Sequence, residues 1–520
     1  MNRLDQVISS ISPKWGLKRQ VSRQKLQLVN SGYGNHGASR TKKSLLGWNY
    51  RGGSPDEDII KNLDVLRQRS RDLYSGGAAL ATGALKTSRT NVIGTGLKLK
   101  PSFDANFLGM SEDEAKEFKQ NIIREFDLWA DSKNCDASRM NNFYDLQQLA
   151  YLSQLMSGDT FALLPFIERK NSTYDICVRL IEADRCCNPD QKKNKDIMGG
   201  VEVDENGAVI AYHFVNQHPL GVQSKKKEWS RVEVFGEETG RRNVLHLMES
   251  ERPEQRRGVP ILAPVIESLK QIGRYTEAEL MAAVVSGLFT VFVQSNQSDD
   301  PLASGLEEDE QLDPENNDAI ELGNGSVINL LPGETVETAN PGRPNAVFDT
   351  FVTAILRQVG AALEIPYELL VKHFTASYSA SRAALLEAWK SFRMRRAWLV
   401  SDFCQPIYEE WFAEAVAKGR ILAPGFFDDP LIRKAYTKAE WHGPSPGQID
   451  PLKEVNAATK RIEQKLSTRE RETAELTGGD FETNVRQLIR ENKILEEGGL
   501  MVIDSETEEV LEHGEKREEE

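Results

Sequence analysis

The sequence predicts an α+β fold, mostly helical, and three observations carry that expectation. Apolar residues recur at helical spacing in several long stripes, most clearly Phe348, Phe351, Val352, Ile355, Leu356, Val359 and Leu363, which share one unbroken face. β-rich runs cluster in one stretch, where Asp204-Glu205-Asn206-Gly207 separates two of them in hairpin fashion. A chain of 520 residues is too long for one ordinary core, so several domains or an elongated multi-part subunit are expected.

In chain order, residues 1–51 carry ten Lys or Arg against one acid, Asp5. This basic arm is either a solvated tail or a segment that orders on a neighbouring subunit, scaffold or DNA. Residues 59–94 read as helical, with Ile59, Leu63, Leu66 and Leu73 in step and Gly76-Gly77 as a break. Two amphipathic helices follow within 112–165. One carries Phe118, Ile122, Phe126 and Trp129, the other Tyr144, Leu146, Leu149, Leu152 and Leu155. TFALLPFIE, YDICVRLIE, GGVEVDENGAVIAYHFV and VEVFG supply the strands.

After the turn RRGVP, residues 264–286 form a helix of about 35 Å, with Ile266, Leu269, Ile272 and Leu280 among its apolar positions. Residues 295–345 are loop and short strand, strongly acidic between Asp299 and Asp318. Pro344-Asn345 starts the helix of the apolar stripe, which stops where Pro366 disfavours helix at Ile365. VKHFTASY leads to a third long helix from near Ser379 past Trp398, its apolar side formed by Leu385, Leu386, Trp389 and Phe392. Residues 443–458 are a Pro-rich hinge and 453–497 a charged helical region. The last 17 residues hold nine acids against Lys516 and Arg517, the composition of a disordered tail.

Several chemistries are excluded. A net charge of -14 leaves no broad basic face for tight duplex binding, so any DNA contact is expected to be local or weak. Cys135, Cys177, Cys186, Cys187 and Cys404 form no CxxC pair and imply a reduced, cytoplasmic chain. MNRLDQVISSISPKWGLKRQ has no secretory h-region, and the longest apolar run, Leu280 to Val293, is short of the roughly 20 residues that span a bilayer. No GxxxxGK[ST] cradles phosphates and no HExxH binds zinc. Gly443-Pro444-Ser445-Pro446-Gly447 fits the spacing of a nucleophile elbow, but Pro446 and the expected lack of a preceding strand mark a chance match. Gly94-Thr95-Gly96 reads as a turn into a strand. The acids of 299–318 lack calcium-loop spacing and read as a solvated loop. No catalytic residue, cofactor or metal ligand is therefore expected.

Long irregular segments carry a resemblance. They read SRDLYSGGAALATGALKTSRTNVIGTGLKLKP (70–101), FYDLQQLAYLSQLMSGDTFALL (143–164), LIEADRCCNP (180–189), VEVDENGAVIAYHF (201–214) and NVLHLMESERPEQRRGVPILAPVIESL (243–269). RQVGAALEIPYELL (357–370), SYSASRAALLEAWKSFRMRR (377–396) and IDPLKEVNAA (449–458) continue the series. Over residues 60 to about 465 the chain resembles the lambda family of phage portal proteins.

The resemblance implies a dodecameric ring with wing, stem, clip and crown around a DNA channel at one capsid vertex. It divides the chain into a basic arm (1–58), wing (59–260), first stem helix (261–292) and clip with an acidic loop (293–344). The second stem helix (345–370), tunnel loop (371–379), long helix and wing return (380–444), crown (445–500) and acidic tail (501–520) follow. Lys372 and His373 would face passing phosphates, the stripe from Phe348 to Leu363 would pack the stem, and Glu307, Glu308, Asp309 and Glu310 would lie on the clip. The implied partners are further copies of the chain, a terminase large subunit that supplies ATP-driven force, major capsid and scaffold proteins, a head-tail connector and double-stranded DNA, with no membrane. Assembly would take place in the host cytoplasm, and the product would reside in the virion. A head-tail adaptor or minor capsid protein is the alternative; a terminase-like motor or nuclease lacks its Walker lysine or metal carboxylates.

Overall fold

The computed structural model describes residues 12–15, 17–19, 21–22, 52–191, 196–222, 226–287, 291–295, 334–338, 348–374, 377–447, 450–498 and 500. Side chains at 191, 285–287, 291–295, 334–338 and 378 are outside that description. The chain divides into two units, Met1–Asp58 and Ile59–Glu520. In the first, residues 13–15, 17–19 and 21–22 are helical.

The second unit begins with α1 (Leu63–Asp72), a π-helical turn (Leu73–Gly77) and α2 (Ala79–Val92). The expected break falls on Gly76, whose backbone leaves the helical region at φ 177 and ψ -10. β1 (Lys98–Pro101) and α3 (Glu112–Ala130) follow. α3 starts on a capping box: the Ser111 hydroxyl accepts from the Glu114 N–H, and the Glu114 carboxylate accepts from the Ser111 N–H. α4 (Phe143–Ser157) departs from the expected amphipathic pattern. Tyr144, Leu146, Gln147, Ala150, Tyr151 and Leu155 bury almost its whole girth, while the expected core residue Leu149 is 42% exposed. Periodicity cannot separate a one-sided helix from a helix enclosed by neighbours.

The strands form two antiparallel sheets here. β2 (Asp159–Leu163) lies between β3 (Arg179–Glu182) and β8 (Val244–Met248). β4 (Ile197–Met198), β5 (Val201–Val203), β6 (Val209–Val215) and β7 (Trp229–Glu233) form the other in that order. The β5–β6 turn is tied by the Asp204 side chain, which accepts from the N–H groups of Asn206 and Ala208. Phe161, Ile181, Tyr212, Phe214 and Val244 form one core between these sheets.

α5 (Ile266–Gly287), β9 (Val291–Ser295), β10 (Glu334–Thr338) and α6 (Phe348–Leu363) come next. β9 and β10 pair antiparallel with Ser295 opposite Glu334, so the excursion between the two helices opens and closes on a ladder. The expected clip acids Glu307, Glu308, Asp309 and Glu310 lie outside the described residues, as do 345–347 at the expected start of α6.

α7 (Tyr367–Val371), α8 (Tyr378–Leu399), a second π-helical stretch (Val400–Cys404), α9 (Gln405–Ala417) and α10 (Pro430–Thr437) return the chain to the main core. There α3, α4, the second π-helical stretch and α9 bring Phe126, Phe143, Phe403, Tyr408 and Trp411 together; the Phe126 and Trp411 rings meet edge to face at 5.0 Å. On α8, Trp389 and Phe392 are buried as expected, but Leu386 is 53% exposed.

β11 (Ala439–His442) pairs with β1, Lys98 opposite His442. This strand corrects one sequence expectation, since Gly443 is preceded by a strand after all. The elbow geometry is still absent, because residues 443–447 are irregular and the next helix, α11 (Pro451–Glu463), begins later. Arg396 packs that segment, donating to the Val92 and Pro444 carbonyls at 2.8 Å. α12 (Arg469–Thr477) and α13 (Phe481–Glu497) complete the chain's described helices.

Candidate functional site: the paired helices and the turn after them

The apolar stripe of α6 changes partner along its length. At its C-terminal end Leu356, Val359 and Leu363 are buried in the main core, with Ile355 packed against it. Toward the N-terminus Phe348 and Val352 are half-buried, and Phe351 is 50% exposed. α5 behaves the same way. Leu269 and Ile272 are buried, whereas Leu280, Met281 and Val284 are exposed. The two helices meet through Tyr275, whose ring lies 5.3 Å from those of both Phe348 and Phe351. Beside that contact runs a groove of about 400 Å³ lined by Gln271, Ile272, Tyr275, Phe351 and Ile355.

The end of α6 is shaped by its sequence. The Ile365 N–H donates to the Gly360 carbonyl at 2.9 Å, and a Cβ at Gly360 would stand 2.5 Å from the Ile365 oxygen. Glu364 takes the left-handed conformation, φ 56, that usually falls to glycine at a helix end. Its carboxylate accepts from Arg395 of α8 at 2.9 Å, which joins the end of the stripe to the third long helix.

The expected tunnel loop is shorter than the sequence suggested. Val371 still belongs to α7 and Tyr378 already to α8. Between them Lys372 caps α7 in a left-handed conformation, φ 55 and ψ 38, and the His373 N–H donates to the Glu368 carbonyl at 3.0 Å. Lys372, His373 and Phe374 are all exposed or half-exposed, and among the described residues Lys372 makes no ion pair. The structure thus brings the stripe residues onto one helix and places Lys372 and His373 beyond its far end, separated from it by α7.

Sequence reasoning missed a buried charge cluster. Asp159, fully buried at the start of β2, meets Arg67 of α1 at 2.8 Å, Arg257 at 2.6 Å and His246 of β8 at 3.4 Å. Arg257 also donates to the carbonyls of Ala183, Cys186 and Gly199, so one guanidinium ties the turn after β3 and the β4–β5 turn to Asp159 of the first sheet. The tight approach of Gly158 to Gly258 lets the Gly258 N–H reach the Asp159 carboxylate at 3.1 Å. Burial opposes the Asp159 charge, but Arg257 and then Arg67 outweigh it and hold the carboxyl well below the usual range. Burial lowers Arg67 to about 10, lowers His246 below its usual value, and pushes the Cys186 thiol up to about 12. The only hint in the sequence is the pair of charges in SGDT and RRGV, each beside a glycine.

One further group has ligand-like spacing: Glu182, Asp184 and His218 bring their donor atoms within 4.8 Å of one another. Arg71 already bridges both carboxylates, at 3.3 Å to Glu182 and closer to Asp184. The guanidinium occupies the position a cation would take.

The helices α5 and α6, paired at Tyr275, leave apolar side chains open beyond that contact. The sequence profile described as "Phage portal protein, lambda family" matches residues 41–396, and the chain belongs to that family. It is 24% identical over 484 residues to portal protein B of Escherichia phage lambda, covering 89% of this chain and 90% of that protein. The portal protein of Escherichia phage N15 is likewise 24% identical, over 476 residues, with 88% and 89% covered. Among solved structures, a chain in the neck of a native GTA particle computed with C12 symmetry aligns at a TM-score of 0.41 and 12% identity, covering 78% of this chain and 92% of that one. A chain in the virion of a native gene transfer agent particle aligns at 0.40 and 12%, covering 79% and 92%.

Proposed function

We propose that this chain is one subunit of a dodecameric ring enclosing the DNA channel at a capsid vertex, a docking point for terminase during packaging and for the head-tail connector before ejection. The family match across residues 41–396 carries the reading. In it residues 59–260 are the wing, α5 and α6 the stem, the excursion between them the clip, residues 371–379 the tunnel loop and 445–500 the crown. The ring would be built in the host cytoplasm with scaffold and major capsid proteins and remain in the virion.

Two observations support it. A closed ring needs two different faces on each subunit. The outer halves of α5 and α6 present apolar side chains, Leu280, Met281, Val284 and Phe351, that a neighbouring stem would cover. Duplex DNA must also slide without sticking, and a subunit of net charge -14 repels phosphates except at isolated cations such as Lys372. The chain's role is then structural, and the force for packaging comes from the separate motor.

Native mass spectrometry and negative-stain micrographs of the purified chain test this. A closed ring with a central channel, without ATPase activity until terminase is added, is the expected result. A monomer, a shell or ATP hydrolysis that persists through stringent repurification would overturn the reading.

A further inference from the structure

Arg395 of α8 is a buried charge with only part of its hydrogen bonding met. The residue is 5% exposed, and its Nη2 donates to the Glu364 carboxylate at 2.9 Å. Its Nε and Nη1 are buried as well, and among the described residues they find no acceptor. An idle buried donor is costly, above all on a cation, so two on one guanidinium call for a reason. The partner it does have is loosely placed. Glu364 is half in water, and beside it, between the end of α6 and α8, runs a groove of about 570 Å³ lined by Gly360, Glu364, Lys390, Ser391 and Met394.

A second carboxylate stands on the other side. Arg395 lines a cavity of about 10 Å³, room for one water molecule, whose walls come from α4, the end of β8 and the junction of α8 with the second π-helical stretch. Glu249, directly after β8, lines the same cavity; it is half-buried, and among the described residues its carboxylate has no hydrogen bond or ion pair. Burial pushes the Glu249 carboxyl up, the Arg395 charge opposes that rise, and the charges of Glu364 and Glu251 add to it. The other acid on the wall, Asp402, already accepts from the Ser401 hydroxyl at 2.8 Å. One guanidinium thus lies between two carboxylates that belong to different parts of the fold.

We propose that Arg395 is a two-position latch: it holds Glu364 at the end of α6, and when that end moves away it turns its idle donors into the cavity onto Glu249. The buried charge keeps a carboxylate in both positions, so α6 can part from α8 without stranding a bare cation in the interior. The inference concerns a single subunit and does not depend on the ring reading. A fixed water bridging Arg395 to Glu249 is the static alternative, and the two differ in what each carboxylate contributes when the other is present.

The test is urea unfolding of full-length chains carrying Glu364→Ala, Glu249→Gln or both, at equal chain concentration. Each single variant leaves Arg395 one carboxylate and should raise the unfolding constant by less than about tenfold. The double variant should raise it at least about tenfold beyond the product of the singles, or abolish folding where the singles do not. That excess should vanish in Arg395→Met, which removes the charge and keeps an apolar side chain. A large loss from Glu364→Ala alone, failure to fold included, means that no second position exists and overturns the latch. Singles whose effects simply multiply overturn it too, and a large loss from Glu249→Gln alone does so in favour of the water bridge. An excess that survives in Arg395→Met, or that Asp402→Asn produces in place of Glu249→Gln, assigns the coupling elsewhere and also overturns it. The direct check is a cryo-EM map of Glu364→Ala: the Arg395 guanidinium is expected within hydrogen-bond distance of Glu249, and a guanidinium left in its wild-type place sinks the proposal.

Discussion

The junction around Asp159 and the outer half of the α5–α6 pair use opposite means to fix structure. At the junction, buried charges satisfy one another completely within the chain: two guanidinium groups, a histidine and a backbone N–H converge on one carboxylate. Along the outer helices the chain leaves Phe351, Leu280 and Met281 in solvent. The first arrangement holds a subunit together whether or not it meets a partner. The second gains its stabilisation only when something covers it.

Breaking the junction gives the largest expected effect. Asp159→Ala strands Arg67 and Arg257 in the interior without a counter-charge, and a loss of about 3–5 kcal/mol in urea unfolding is expected. A change below about 1 kcal/mol would mean that the arginines find other partners and that the cluster is no anchor.

The next test separates the two ends of α6. Leu363→Ala removes a fully buried side chain and should cost the isolated chain about 2–5 kcal/mol. Phe351→Ala should cost the isolated chain under about 1 kcal/mol, since half of the ring is already in water, yet shift rings toward smaller species in native mass spectrometry. Equal destabilisation by the two would erase the distinction between an inner and an outer half.

Acidification probes the junction more gently. His246 has its basicity lowered by burial, so as pH falls through about 6.5 the unfolded chain takes up the proton first. Stability present above that pH is therefore lost below it, by at most about 1.4 kcal/mol per pH unit from this group. His246→Gln should flatten the melting-temperature profile between pH 7 and 5; an unchanged slope would assign the pH dependence to other groups.

These contrasts also show what the sequence could carry. The α6 stripe, the Gly76-Gly77 break, the Asp204 turn and the termination at Pro366 are local patterns, and each lies where its chemistry puts it. Burial around the full girth of α4 and the exposure of Leu149 and Leu386 depend on which neighbours arrive, which spacing does not encode. The Asp159 cluster joins residues 67, 159, 246 and 257, too far apart in sequence for any motif to expose. Lys372 was legible as a cation between helices, but not its left-handed backbone or the short helix α7 before it.

That backbone sharpens the last and smallest expected effect on stability. Lys372 sits in a left-handed conformation that costs an L-residue about 1 kcal/mol relative to glycine, and Ala bears the same cost. Lys372→Ala should therefore leave melting unchanged, while Lys372→Gly removes the same charge and relieves the strain, raising stability slightly. If the exposed ammonium touches passing phosphates, both variants abolish that interaction alike, whatever they do to the fold. The slope of log affinity for duplex DNA against log salt should then become shallower by about 0.9 for each phosphate no longer neutralised, with packaging rate or DNA retention altered in both. Matching slopes and packaging for wild type, Ala and Gly would remove Lys372 from the channel and leave the turn after α7 a purely steric element.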